Sequence, residues 1–448
     1  MSSRILVYGL GVSGVATAAR LLSEGVHVVA VDDDGGERPR DRAAELGIDL
    51  VSAPDGPTLA ALARTVDEIV VSPGVPACHA VFSSEQTVPV IGEVELAWRR
   101  ARCPIVAITG TNGKTTVTTL VQAMLEASGR RAVAAGNIGL PLLEAVGSDA
   151  EVVVAEVSSF QLALTTTFRP FVGAWLNFSA DHLDWHPTVD DYRDAKARIW
   201  ANSGPGDVAV VNAEDPVVRG AAEAPRARGA SLCSFGRGQG DYTERAGALV
   251  GPDGADVVQV SELARAMPHD VIDALCALAT AISAGASLEG CRRGLLAFRG
   301  LPHRVELVGE ANGVRFYDDS KATTPGAVLA AVEGCAPAVL IAGGRNKGLD
   351  LSVLGTAAPN LRAVVAIGEA TEEVAAAFSG LVPVTRAPTM AGAVESAAAL
   401  AGGGDSVVLS PACASFDWYG SYAERGDDFS HWVRALPGFS ESVGGGPR

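Results

Sequence analysis

Thr109-Gly110-Thr111-Asn112-Gly113-Lys114-Thr115-Thr116 is the stretch on which the reading of this chain turns. It follows an apolar run at 105–109 that reads as a strand, and it opens a long helical pattern from Lys114. A glycine turn between strand and helix aims successive amides and the positive end of the helix at one point, where an anion can sit. Lys114 is placed to reach β- and γ-phosphates, and the Thr115 hydroxyl to hold Mg²⁺. Gly110, Thr111, Asn112, Gly113 and Thr116 complete the cradle. Ile108 stands where the usual P-loop spacing has its first glycine. The competing account is a tight turn with an incidental lysine.

Outward from this loop, short apolar runs alternate with helical stretches, the pattern of parallel α/β layers. A first block has strands at 5–7, 27–31 and 68–71 and closes with an amphipathic helix at 93–100. Pro104 starts the second block, and its restart predicts a domain boundary near residue 102. That block carries strands at 105–109, 152–155, 174–177 and 208–211, then an alanine-rich helix at 271–284 and another before Phe298. Gly300-Leu301-Pro302 reads as a hinge into a third block with strands at 338–341, 363–367 and 406–409. The domains expected are therefore 1–101, 102–299 and 300–448. The glycines at 444–446 read as a frayed tail.

The 448 residues are 48% hydrophobic and 19% charged, which is globular composition. A net charge of −17 argues against nucleic acid or an anionic membrane as partner, while leaving room for a focused phosphate site. Seven cysteines are scattered without a CxxC pair, which points to reduced thiols in the cytoplasm. No apolar run reaches membrane-spanning length.

Gly9-Leu10-Gly11-Val12-Ser13-Gly14 also lies between strand and helix, and Asp32 ends the next strand. This satisfies the dinucleotide fingerprint loosely and marks a pyrophosphate site, for UDP as well as for NAD. In the second block Glu156 ends one strand and His182 lies just past another. Ligands bind outside the carboxyl ends of parallel strands, where Thr109 also ends. A carboxylate and an imidazole there could complete a Mg²⁺ shell around a nucleotide. Lys196, taken by itself, reads as a solvated helix lysine within 189–200. The third block offers cations and hydroxyls in Leu301-Pro302-His303-Arg304, Asp318-Asp319-Ser320-Lys321-Ala322-Thr323, Gly343-Gly344-Arg345-Asn346-Lys347 and Ser410-Pro411-Ala412-Cys413-Ala414-Ser415-Phe416-Asp417. Such groups suit a dicarboxylate and a nucleotide phosphate. Two other function classes fit parts of the pattern: an NAD(P)-dependent oxidoreductase, and a non-catalytic nucleotide-binding protein.

As an ordered set, the motifs at 109–116, 156–161, 181–184, 301–304, 319–323 and 410–417 resemble those of the Mur ligase family over nearly the whole chain. Within it, the N-terminal glycine turn, Ser72-Pro73-Gly74 and the 410–417 segment resemble the branch that adds D-glutamate. The resemblance implies a three-domain α/β architecture, Rossmann-like at both ends with a central P-loop-type ATPase. It implies a monomeric ligase of peptidoglycan precursor synthesis, joining D-glutamate to UDP-N-acetylmuramoyl-L-alanine at the expense of ATP. Ser13, Asp32 and Ser72, Pro73 and Gly74 would then hold the uridine diphosphate, and Asn137 the muramoyl part. Lys114 and Thr115 would bind ATP phosphates and one Mg²⁺ shared with Glu156. His182 and Lys196, the latter as a carbamate, would hold a second Mg²⁺. Asp273, Arg304 and Asp319 would face ATP. His303, Lys321, Thr323, Lys347, Ser415, Phe416 and Tyr422 would serve the substrate amino acid. Asp273 and Thr324 stand where the family usually has asparagines.

Overall fold

The computed structural model describes residues 3–83, 88–183 and 185–441. Asp184 and the glycines at 444–446, both singled out above, lie outside the described residues. The chain divides into two compact units, Met1–Gln259 with Ile272–Ala297, and Val260–Val271 with Phe298–Arg448.

The first unit contains two parallel sheets. One orders its strands Leu50–Ser52, His27–Asp32, Arg4–Tyr8, Glu68–Val71, Val90–Gly92. Alternate residues of its central strand face opposite layers, as the period of two requires. Ile5 and Val7 pack with Ala18 and Leu21 of the helix Val12–Ser23, while Leu6 and Tyr8 pack with Leu59 and Ala63 of the helix Gly56–Ala63.

The other parallel sheet runs Ser231–Phe235, Val208–Asn212, Val172–Trp175, Ile105–Thr109, Val152–Glu156, Ala132–Gly136. Ile105–Thr109 and Val152–Glu156 are buried throughout, which is why they read as unbroken apolar runs. The strand expected at 174–177 is instead Val172–Trp175. Asn177 lies two residues past its end, and its side chain turns back onto the phosphate loop. The helix expected at 189–200 is α-helical only over Val189–Ala197 and tightens to a 3₁₀ turn at Arg198–Trp200. A small antiparallel sheet, Thr243–Arg245, Ala248–Val250 and Asp256–Gln259, had no sequence counterpart above.

The second unit holds one mixed sheet, ordered Val384–Arg386, Leu361–Ile367, Ala338–Gly343, Ser406–Leu409, Val314–Asp318, Glu306–Ala311, Phe439–Ser440. Its first five strands are parallel, and Glu306–Ala311 runs against both neighbours. The four central parallel strands end at Asp318, Gly343, Ile367 and Leu409, so the third-block motifs all emerge at one edge. Among the described residues no helix is long and apolar enough to cross a membrane.

Candidate active site

The loop after Ile105–Thr109 is fixed from the neighbouring strand. Asn177 Oδ1 accepts from the amides of Thr111 at 3.0 Å and Asn112 at 2.9 Å, and its Nδ2 donates to Asn112 O at 3.2 Å. Thr111 Oγ1 meets the Tyr192 hydroxyl at 3.2 Å and accepts from Ser179 N. Gly113 has φ +80°, and a Cβ there would fall 2.4 Å from both Asp273 Oδ1 and Leu176 Cδ2. Only glycine fits. Asp273 therefore lies against the phosphate loop itself.

Two ammonium groups converge on one carbonyl. Lys114 Nζ donates to Gly110 O at 2.9 Å and Thr111 O at 2.8 Å, and Lys196 Nζ donates to the same Gly110 O at 2.7 Å. Lys196 is 1% exposed. Burial, with the Lys114 charge adding, holds its amine well below the usual lysine range, against the pull of Asp181 and Glu156. The solvated reading of Lys196 is thus wrong, because its helix turns this face toward the phosphate loop and lays the ammonium over the Tyr192 ring, 4.6 Å from its centroid.

Glu156, at the end of its strand, is 2% exposed. Its Oε1 accepts from Asn137 Nδ2 at 2.8 Å, while Oε2 is buried with no hydrogen-bond partner among the described residues. A buried carboxylate oxygen left bare is costly unless a cation or proton meets it. His182 sits beyond Val172–Trp175, the strand on the other side of Ile105–Thr109, with φ +55°, a region unfavourable for a residue with a Cβ. Its ring lies edge-on to Phe160, and its Nε2 is 3.5 Å from Asp181 Oδ2. His303 and Ala412, in two third-block motifs, share this left-handed backbone at φ +59° and +61°. Strained residues collect where a site over-determines them.

In the first sheet the glycine turn is held by the residues assigned to UDP. Asp32 Oδ2 accepts from Leu10 N at 2.6 Å and Oδ1 from Asp34 N at 2.9 Å, and Ser72 Oγ donates to Gly9 O at 2.7 Å. Ser13 and Pro73 are half-buried and Gly74 is exposed beside them. A Cβ on Gly14 would stand 1.8 Å from Gly9 O. Gly14→Ala is expected to destabilise this unit by about 2–3 kcal/mol through forced displacement of the turn. An unchanged denaturation midpoint would show that the turn relaxes freely.

In the second unit, His303 Nδ1 pairs with Asp318 Oδ2 at 2.7 Å, and Asp319 accepts from Ser410 Oγ at 2.8 Å and Val305 N at 3.2 Å. Lys321 Nζ meets the Tyr422 hydroxyl at 3.1 Å and lies over its ring, and Lys347 stands 6.0 Å from the Phe416 centroid. Phe416, Lys347 and Tyr422 are exposed, Thr323 half-buried and Ser415 buried. Thr324 precedes the helix Pro325–Cys335 without a side-chain cap hydrogen bond. Arg425, which the sequence did not single out, is 1% exposed and bonds Ser320 Oγ, Ser320 O and Cys413 O, so it joins two motif loops.

Burial raises the Asp319 carboxyl to about 7, the Ser410 and Val305 bonds opposing the shift. Its folded value thus exceeds its unfolded one. The native state keeps the proton that the unfolded chain releases, and stability falls as pH rises from about 4 to 7 and levels above that. Relative to wild type, Asp319→Asn should gain on the order of 4 kcal/mol between these limits. A gap in melting temperature independent of pH would contradict this.

Sequence comparison follows the same lines. Residues 108–270 match the Mur ligase middle domain and 303–413 the Mur ligase, glutamate ligase domain. The UDP-N-acetylmuramoylalanine--D-glutamate ligase of Desulfosudis oleivorans is 42% identical, covering 97% of this chain and 96% of its own. That of Shouchella clausii is 41% identical over 97% and 98%. In fold, the chain is similar to MurF of Acinetobacter baumannii, with TM-score 0.63 at 20% identity over 96% and 91% of the chains. MurF ligase of Thermotoga maritima, solved in complex with ADP, gives TM-score 0.62 at 17% identity over 90% and 93%. None of these is an oxidoreductase. Two matching domains in order, and relatives sharing two-fifths of their residues over nearly full length, place the chain in the Mur ligase family, with the UDP-N-acetylmuramoylalanine--D-glutamate ligases among its relatives.

Proposed function

We propose that this chain joins D-glutamate to the free carboxylate of UDP-N-acetylmuramoyl-L-alanine, driven by ATP, in peptidoglycan precursor synthesis. The observation that carries the reading is the cluster at the carboxyl edge of the central sheet. There Lys114 and Lys196 share Gly110 O, and Glu156 presents a bare oxygen. The relatives' names supply the substrates.

A carboxylate resists amine attack because its oxygen is a poor leaving group. In the proposed reaction an acceptor carboxylate oxygen attacks the γ-phosphorus, ADP leaves, and an acyl phosphate forms. The D-glutamate amine then attacks the acyl carbon, phosphate departs with its C–O bond, and the amine loses a proton. Lys114 neutralises charge on the phosphoryl group, and the loop amides held by Asn177 orient it. Asn137, bonded to Glu156, fixes the acceptor. Lys321, Thr323, Lys347 and Ser415 receive the D-glutamate with Phe416 and Tyr422 beside them, and His303 aligns the Lys321 loop through Asp318. Asp273 belongs to the nucleotide loop of the first unit, and Arg304 and Asp319 are the nucleotide-facing residues of the second.

The donor set fits magnesium. Thr115 and Glu156 would hold one ion, the buried bare oxygen of Glu156 being the fitting feature. His182 and Lys196 would hold the second. A lysine becomes an oxygen ligand only as a carbamate, and the depressed, buried amine of Lys196 suits reaction with CO₂. When bound, magnesium supplies charge neutralisation at the phosphates. We read the domains as 1–101, 102–299 and 300–448, Rossmann-like, P-loop-type and Rossmann-like, which the parallel strand orders and the glycine loops support. The seven free cysteines suit the cytoplasm.

A phosphate-release matrix tests the proposal. UDP-muramoyl acceptors with and without L-alanine are crossed against D-Glu, L-Glu, L-Ala and diaminopimelate. ADP and a new amide should appear together with the L-alanyl acceptor and D-glutamate. Preference for another amino acid, or no ADP in any combination, defeats it.

A further inference from the structure

The helix Glu93–Trp98 carries two carboxylates that the reaction above does not use, and both are buried, Glu93 at 3% and Glu95 at 0% exposure. Buried carboxylates need partners. Glu95 has them in full. It accepts from the amides of Thr166, Thr167 and Phe168, from the Thr167 hydroxyl at 2.6 Å and from Arg99 Nε at 2.9 Å. Burial pushes its carboxyl up, but these donors outweigh it and hold the group below the usual range. Glu93 is treated differently. Its Oε1 accepts from Leu143 N at 2.6 Å, the Leu142 amide also acts on the carboxylate, and Oε2 is buried with no hydrogen-bond partner among the described residues.

The two contacts land on either side of Glu156. Leu143 lies in the first turn of the helix Leu142–Ala145, directly after the segment 136–141 that carries Asn137. Asn137 donates its amide to Glu156 O at 2.9 Å and its Nδ2 to Glu156 Oε1 at 2.8 Å. The turn bound by Glu95 follows the helix Ser159–Ala163, which begins three residues after Glu156, and Gly92 N adds a bond to Leu164 O at 3.0 Å. Segments before and after Glu156 are thus held by one short helix, fed by the last strand of the first sheet, Val90–Gly92.

We infer that Glu93 is a positioning residue that fixes the 136–143 segment through Leu143 and thereby sets how Asn137 holds Glu156. This rests on the function proposed above. Glu93 acts through Leu143 and touches neither substrate nor Glu156. Burial raises its carboxyl to about 7, the Leu143 bond opposing and the Glu144 charge adding. Near neutrality it therefore serves partly as a neutral acceptor, a role that glutamine can fill.

The test compares Glu93→Gln, which keeps the acceptor, with Glu93→Met, which keeps the volume and removes it. Hydrogen exchange should speed at least tenfold at the amides of 137–143 in E93M and stay near wild type in E93Q. With the UDP-muramoyl acceptor varied, kcat/KM should fall at least tenfold in E93M, and the Mg²⁺ half-saturation should rise at least threefold. The KM for D-glutamate should be unchanged, and E93Q should recover at least a third of wild-type kcat/KM. Unaltered exchange in E93M, a parallel rise in KM for D-glutamate, an E93Q as impaired as E93M, or loss of the fold in E93M would each overturn the inference. A wild-type protein that makes no amide would defeat the proposed function instead, and the exchange comparison would still decide the role of Glu93.

Discussion

Lys114→Ala is expected to lower ATP-dependent phosphate release by about 10³-fold while leaving the chain folded. Removing one preorganised charge from a phosphoryl-transfer site costs about 10²–10³ in rate, and Lys114 has a double task. Its ammonium bridges Gly110 O and Thr111 O, so it braces the loop as well as lying over it. Stability should change little. The lost bonds are partly offset by relief of repulsion with Lys196, whose amine the Lys114 charge helps to depress. Phosphate release near the wild-type rate would mean that 109–116 is a structural turn and not the nucleotide site.

Lys196→Ala is expected to lose about 10²–10⁴ in ligation rate, with partial recovery on addition of formate or acetate. The lost group is a buried amine bonded to Gly110 O. If its function is to carry CO₂ as an anionic oxygen ligand, a small free carboxylate can enter the space and replace part of it. Lys196→Arg separates this from a plain need for positive charge. Arginine keeps the cation, cannot be carbamylated at working pH, and should be as impaired as alanine without the alanine variant's rescue. Full activity of the arginine variant, or of alanine without added carboxylate, would sink the carbamate reading. Melting temperatures of both variants report the packing cost of altering a residue that is 1% exposed.

Much of the fold was legible because buried parallel strands advertise themselves. Ile105–Thr109, Val152–Glu156, Ala338–Gly343 and Ser406–Leu409 carry short apolar runs rich in branched aliphatic residues. Shorter or less apolar strands escaped, such as Leu50–Ser52 and Ala132–Gly136. The hairpin Glu306–Ala311 to Val314–Asp318 was missed although Asn312-Gly313 marks it, both residues having positive φ at 53° and 78°. That dipeptide is a strong hairpin signal. Arg425, Asn177, Glu93 and Glu95 escaped because the partners that matter, such as Ser320, Cys413, the 111–112 amides, Leu143 and the 166–168 turn, lie 12 to 105 residues away in sequence.

The sequence by itself determined the alternation of strand and helix, the phosphate loop and the order of the motifs, because each is written in neighbouring residues through backbone periodicity and glycine geometry. Tertiary structure alone decided that Lys196 is buried on the loop carbonyl, that Glu156 keeps one bare oxygen, and that one helix of the first sheet grips both flanks of Glu156. Those outcomes depend on desolvation and on partners brought together across the chain, and neither quantity exists until the sheets have packed.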